Sequence, residues 1–460
     1  MKEFMGEDFL LNSEIAKKLY FDYAKEMPIF DYHCHLNSAQ IASNKSFDNI
    51  SELWLGGDHY KWRAIRANGL NERQEDPYQQ FLTWAKTMPS LIGNPLYSWT
   101  HLELQRYFGI KEPLNEKNAK AIYEKTNAML KQDSSLCVFE IFKKFNVATV
   151  GTTDDPADDL KFHIALKSLT PTKVIPSFRP DKALNIDAEG FSDYIKKLGQ
   201  VANIKINTLD ALKEALIKRL DFFITMGCKS TDQGLAYPPF IKEDSKKIEG
   251  YFERALKGEQ ISKAEAEAYR TNLLVYLGKQ YSERNIVMQL HLNVIRNTNT
   301  RMYNLYGPDT GYDAVYDAPI AKNLATLLNE MEKTNQLPKT IVYSLNPKDY
   351  YSIASIIGSF QDSKTPGKMQ LGSGWWFCDH KDGIEYQLST LSDIGLLSKF
   401  VGMITDSRSF LSYPRHEYFR RVLCNFVGKW VENGEVPNDI ELLGKIIQDI
   451  CYNNAKRYFG

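Results

Sequence analysis

The sequence predicts an α/β protein built as a (β/α)8 TIM-type barrel, and two observations carry that reading. Short apolar runs alternate with amphipathic helical stretches, as expected of parallel strands joined by helical crossovers. Eight such runs occur, enough to close a barrel, and polar or aromatic residues stand at the C-terminal end of each, where a barrel keeps its active site. The length of 460 residues suits an elaborated barrel. A doubly wound open sheet, the main rival, would use one crevice rather than a ring, and no GxGxxG loop supports it.

The expected strands, in order, are 28–35, 147–153, 173–179, 222–228, 285–291, 340–346, 369–377 and 400–406. Their ends carry His33 and His35; Thr153, Asp154 and Asp155; Arg179; Lys229 and Asp232; His291; Asn346; Trp375 and Trp376; Asp406 and Arg408. Amphipathic stretches at 320–333, 350–360, 384–399 and 417–431 supply crossover helices. The first connection is far too long for one helix. Residues 39–141, rich in helix formers and aromatics, are therefore expected to form a helical insertion over the barrel mouth, with the barrel itself at 1–38 and 142–460. A second insertion, 234–283, contains the charged helix 261–276 and reads as a solvated helical hairpin.

Composition narrows the function. Lys plus Arg and Asp plus Glu both number 57, so the chain lacks the basic excess of a nucleic-acid binder. No apolar stretch approaches the ~18 residues of a membrane span, and the acidic residues near the N-terminus argue against a secretory signal. Six cysteines without CxxC spacing read as reduced thiols, which makes the cytoplasm the expected location.

The candidate chemistry starts at His33-Cys34-His35. On a strand, residues i and i+2 face the same way, so two imidazoles project side by side at its end. Alone, such a pair is a weak signal. With His291 and Asp406 it becomes a mononuclear metal set, with Zn²⁺ as first choice and Mn²⁺ as the alternative. Individually, His291 reads as a hydrogen-bonded core histidine and Asp406 as a helix cap; their joint placement on three strand ends favours the site. Arg179, Arg296, Arg408 and Arg415 form a second cluster. A lone arginine is usually a surface partner, but several at one barrel mouth suit an anionic substrate. The segment Asp58-His59-Tyr60-Lys61-Trp62-Arg63 reads equally as a helix start packed on the barrel and as a lid bringing a phenol and an imidazole. Trp375-Trp376 reads as pocket wall.

These segments, with Pro176-Ser177-Phe178-Arg179-Pro180-Asp181, Met288-Gln289-Leu290-His291 and Thr405-Asp406-Ser407-Arg408-Ser409, resemble the uronate (glucuronate) isomerases of the amidohydrolase superfamily, over essentially the whole chain. The resemblance implies a distorted (β/α)8 barrel with a helical insertion. It also implies interconversion of D-glucuronate with D-fructuronate and of D-galacturonate with D-tagaturonate, by proton transfer through an enediol in hexuronate catabolism. Carried over residue by residue, Asp406 assists ring opening and proton transfer, Tyr60 moves the proton between C1 and C2, and Arg179 lowers the cost of its phenolate. His33, also catalytic, lies with His35 and His291 around the metal or the C1–C2 oxygens. His59, Arg296, Arg408 and Trp375 bind the sugar acid. The enediol route needs only acids, bases and cations, so it does not itself require the metal. The resemblance is compatible with a homo-oligomer. The chain departs from the family pattern at Gln233, where a histidine is expected, so no fourth imidazole is anticipated there. The alternatives are a metal-dependent hydrolase or deaminase, disfavoured because Val294 stands where a deaminase needs glutamate, and a non-catalytic sugar-acid binder.

Overall fold

The computed structural model describes residues 2–132 and 136–460. Nine strands are present among them: β1 (Ile29–Asp31), β2 (Val147–Asp154), β3 (Lys173–Phe178), β4 (Gln233–Leu235), β5 (Met288–Leu292), β6 (Val294–Ile295), β7 (Ala314–Val315), β8 (Thr340–Ser344) and β9 (Met369–Leu371). One parallel sheet has the order β1-β2-β3 and a second the order β4-β5-β8-β9; β6 and β7 pair antiparallel as a small ribbon.

The two parallel sheets are stitched through residues 230–232. Phe178 N donates to Ser230 O at 3.1 Å and Asp232 N to Phe178 O at 3.0 Å, while Thr231 N reaches Val287 O at 2.8 Å. On the other side, residues 400–406 run beside β1 without forming a regular ladder. They are tied by Thr405 N and Oγ1, which donate to the Asp31 carboxylate at 2.9 and 2.5 Å, and by Tyr32 OH, which donates to Gly402 O at 2.9 Å. The backbone follows with Asp406 N to His33 O at 3.3 Å and His35 N to Ser407 O at 2.9 Å. Strand-like segments thus succeed one another around a ring, and the fold is a distorted (β/α)8 barrel. The eighth segment contains two left-handed residues, Gly402 at φ +81° inside the run and Asp406 at φ +48° at its end, neither compatible with continuous extended pairing.

Two expectations need correction. The fourth strand is not 222–228. Residues 222–225 of that run are the last turn of a helix, Leu209–Thr225, capped by Thr208 and burying Leu212, Leu216, Leu220 and Phe223 along one face. A short apolar run cannot be assigned to strand or helix from its own length; here the 3.6-residue spacing upstream decides. Nor is the charged stretch from 261 merely solvated. It forms the helix Lys263–Glu283, started by a Ser262/Glu265 capping box, and buries Ala266, Tyr269, Leu273, Leu274, Leu277 and Tyr281. Its exposed charges masked a wide apolar face.

Between β1 and β2 the chain forms helices at Ile50–Leu55, His59–Ala67, Pro77–Thr87, Pro95–Phe108 and Ala119–Gln132, among others. No helix among the described residues is long and apolar enough to cross a membrane.

Candidate active site

The barrel's functional side chains stand at or just beyond strand ends, and His59 comes from the cap helix His59–Ala67. Beyond β1, Tyr32 stacks on Phe459 at 4.7 Å with its hydroxyl beside Tyr343, and Cys34 is fully buried. His33 and His35 line the cavity at the barrel mouth. In β5, His291 pairs in register with Tyr343 of β8, and the two rings lie parallel with centroids 4.3 Å apart. The left-handed turn at Asp406 presents its carboxylate to both histidines beyond β1 at once.

The distances define a compact centre. Asp406 Oδ1 lies 3.1 Å from Nε2 of His33 and 3.1 Å from Nε2 of His35, and Trp375 Nε1 donates to Asp406 Oδ2 at 2.7 Å. Asp232, fully buried, sits 2.7 Å from His291 Nδ1, 3.0 Å from Arg179 and 3.9 Å from His33 Nδ1. Arg179 also donates from Nε to Asp181 Oδ2 at 2.9 Å. It lies flat against the backbone of Gly234, where an added Cβ would come within 2.7 Å of the guanidinium; a glycine is needed for that approach.

Electrostatics follow from burial and neighbours. Burial opposes ionisation of Asp406, but hydrogen bonds from His33 and His35 overcome it and hold the carboxyl well below its ordinary value. Burial likewise opposes a charge on His33, yet Asp232 and Asp406 at its two nitrogens raise its pKa. His35 is pushed down to about 4 by burial, against the pull of Asp406. His291 is lowered by burial despite Asp232. Asp232 is held low, against burial, by Arg179, His291 and His33.

Among the described residues, two groups of ligand atoms lie close enough to hold a divalent cation: His33, His35 and Asp406, and His33, Asp232 and His291. His33 belongs to both. The donor chemistry fits a borderline metal, and Nδ1 of His33 and Nε2 of His291 are buried without a hydrogen-bond partner. Arg179 already engages Asp232, which leaves the first group the better cation site.

One cavity of about 540 Å³ gathers His33, His35, His59, Arg179, His291, Arg296, Trp375, Asp406 and Arg408, within the size range of small-molecule pockets. At its rim Arg296 donates to Asp313 at 2.7 Å and Arg408 lies 3.5 Å from Asp309. His59 meets Trp376 edge to face at 4.8 Å. Tyr60 is not part of the lining. Its ring stacks behind His59 at 5.4 Å, and its hydroxyl donates to Asp379 Oδ2 at 2.9 Å. The cation facing this phenol is Arg415, 5.8 Å from the ring centroid, whereas Arg179 is engaged by Asp232 and Asp181.

Sequence reasoning gave no role to Asp232 as a ligand and none to Asp379. Asp232 was hidden by the misplaced fourth strand; its position directly before the glutamine of Thr231-Asp232-Gln233-Gly234 is the signal that a correct register would have exposed. Gln233 points the other way, donating to Tyr281 OH at 3.3 Å in the helix layer. Strand alternation sends position 233 away from the cavity.

Residues 1–459 match the family model described as glucuronate isomerase. The chain belongs to the glucuronate isomerase family. A uronate isomerase of Caldanaerobacter subterraneus subsp. tengcongensis is 54% identical over 466 residues, covering all of both chains. The crystal structure of uronate isomerase from Thermotoga maritima matches with a TM-score of 0.94 at 33% identity and covers both chains fully. That of glucuronate isomerase from Caulobacter crescentus matches with a TM-score of 0.91 at 26% identity, covering 99% of this chain and 97% of that one. The glucuronate isomerase family carries out an intramolecular aldose–ketose isomerisation in hexuronate catabolism, and the hydrolase, deaminase and simple-binder readings are not favoured.

Proposed function

We propose that this chain interconverts D-glucuronate with D-fructuronate and D-galacturonate with D-tagaturonate through an enediol. The observation that carries the reading is the convergence, in one cavity, of the paired histidines, Asp406 and three arginines. An aldose becomes a ketose when the proton on C2 passes to C1 and the proton on O2 passes to O1. That requires a carbon acid–base, an oxygen acid–base and cations for the enediolate oxygen.

Asp406, held ionised, accepts the ring hydroxyl proton in ring opening and exchanges protons with O1 and O2. His33, bonded to it, returns that proton. Tyr60 moves the carbon-bound proton between C2 and C1; the helix His59–Ala67 must shift inward on substrate binding to bring the phenol past His59, as capping elements commonly do. Arg179 faces the enediolate oxygens. His59, Arg296, Arg408 and Trp375 hold the hydroxyls and the C6 carboxylate, guanidinium being suited to a bidentate carboxylate contact. His33, His35 and Asp406, with His291 adjacent, are the residues that would hold one divalent metal, Zn²⁺ before Mn²⁺. When bound, it supplies positive charge beside the C1–C2 oxygens.

We take residues 39–141 as the cap over the barrel at 1–38 and 142–460, and 234–283 as a helical hairpin added to it. Six unpaired cysteines fit a reducing cytoplasm, and a homo-oligomer is compatible with the family. The test is turnover of both hexuronates by the purified protein, followed as ketose formation with and without a chelator. Ketose is expected from each sugar, with metal removal lowering turnover by less than about tenfold because side chains supply the proton transfers. Hydrolysis products, or binding without turnover, would overturn the reading.

A further inference from the structure

The loop after β9 serves two places at once. Trp375 and Trp376 face the cavity, while Asp379, four residues after Trp375, reaches behind the cap helix and accepts the Tyr60 hydroxyl at 2.9 Å. The surroundings of this pair are charged. Asp58, at the start of the cap helix, is 2.7 Å from Lys61 Nζ and 4.0 Å from Arg415. Lys61 answers Asp58 at close range, and Arg415, stacked on Trp99 at 4.2 Å, is shared between Asp58 and the Tyr60–Asp379 pair. Glu103, Asp406 and Arg63 are further charged neighbours. A void of about 20 Å³, lined by Asp379, Arg415 and Ser373, adjoins the carboxylate. That is the room one water occupies, and both Arg415 Nε and Ser373 Oγ are buried there without a protein partner.

We propose that Asp379 is a positioning residue that acts through Tyr60: it holds the phenol between turnovers and takes its proton when Tyr60 serves as the base at C2. The proposal rests on the role given to Tyr60 above. In the forward direction the phenol O–H bond breaks and a carboxylic O–H forms on Asp379. The phenolate then takes the proton from C2, and the C–H electron pair enters the C1–C2 double bond of the enediolate. The same proton is delivered to C1, which regenerates the phenolate, and Asp379 returns its own proton. The pair carries one negative charge at the start and the end of the cycle, opposite Arg415; while Tyr60 holds the C2 proton the pair is neutral and the charge lies on the enediolate. Burial raises the pKa of both partners, Asp379 against the pull of Arg415 and Tyr60 with the further push of Asp379, so a second charge is strongly disfavoured and the two titrate as one unit.

Asp379→Asn tests this in the full-length enzyme. The amide keeps the shape and can still accept the phenol hydrogen bond, but it cannot take a proton. With D-glucuronate, kcat is expected to fall at least about 100-fold with KM changed less than about threefold. Tyr60→Phe should fall comparably, and the double variant should be no slower than Tyr60→Phe alone, because the two act in one step. A D379N enzyme with kcat within about threefold of the parent, beside an inactive Y60F, overturns this proposal while leaving the Tyr60 assignment standing. An active Y60F sinks that assignment and this proposal with it. Should D379N fail to fold, Asp379→Glu decides: kcat above a tenth of the parent is expected because a carboxyl is restored, and a value below a tenth overturns the idea.

Discussion

Three cationic or ionisable neighbours compete for Asp232: Arg179, His291 and His33 all approach one buried carboxylate. Removing one member of a buried charge set leaves the others uncompensated, at a cost of about 3–5 kcal/mol. Asp232→Asn keeps the volume and loses the charge. It is expected to destabilise the fold by about 3 kcal/mol at neutral pH, read as a shift of the urea midpoint at unchanged slope. A change below about 1 kcal/mol would mean that Asp181 alone satisfies Arg179. At this scale the sequence was uneven. The His33/His35 pair is legible because a strand's two-residue period fixes which side chains share a face. Asp232 was not, because its strand began several residues later than the apolar run suggested. Asp379 gave no periodic signal at all, lying in a loop whose path is set by packing between β9 and the cap.

The helix His59–Ala67 shows how one element joins stability to function. Asp58 caps it, accepting from Tyr60 N at 3.0 Å and Lys61 N at 3.2 Å, while its second oxygen meets Lys61 Nζ. Burial opposes this charge, but Lys61 and Arg415 outweigh it and lower the pKa from 3.8 to about 2. A carboxylate with a depressed folded pKa contributes stability that is present above its unfolded value and lost as the pH falls through the folded one. Nearly two units correspond to about 2 kcal/mol, released between about pH 4 and pH 2. Asp58→Asn retains the cap and loses the ion pairs. Urea unfolding is expected to show it about 2 kcal/mol less stable at pH 7, with the two proteins converging near pH 2. A gap that persists at pH 2 would mean the cap, not the charge, is responsible. The pair Asp154 and His163 should add no slope of its own in the mildly acidic range. Burial raises Asp154 to about 7 and lowers His163 to about 4, so the folded pair holds one proton there, on the carboxyl, and the unfolded pair also holds one, on the imidazole. Capping residues and amphipathic faces made such helices readable from the sequence. The helix Leu209–Thr225 was misread because its last turn is apolar enough to pass for a strand.

On the scale of the molecule, the alternation of runs conveyed the barrel, since eight strand-like segments have few other ways to bury both faces of a parallel sheet. What it could not convey is how cap and barrel are fastened, because that depends on backbone carbonyls rather than on patterned side chains. Arg63 of the cap helix donates to Gly311 O and Asp313 O at 3.1 and 2.9 Å, and Arg66 to Thr310 O at 3.1 Å. The loop so gripped holds Asp313, the partner of the cavity's Arg296, and Asp309, the partner of Arg408. Its one helix, Thr300–Tyr306, buries no residue, so the loop depends on the cap for its order. Gly311 permits the contact twice over: its φ is +90°, and a Cβ there would stand 2.6 Å from Arg66 and 3.2 Å from His59 O. Gly311→Ala must either strain this backbone, at about 1–2 kcal/mol, or release the two arginines. Release frees Arg296 and Arg408 from their set positions without touching Asp406 or Tyr60. The expected result is a KM for D-glucuronate raised about tenfold, equivalent to about 1.4 kcal/mol, with kcat within about threefold and faster proteolysis between residues 296 and 315. If KM stays at the parent value while proteolysis accelerates, the loop moves independently of sugar binding, and cap and mouth are not coupled through it.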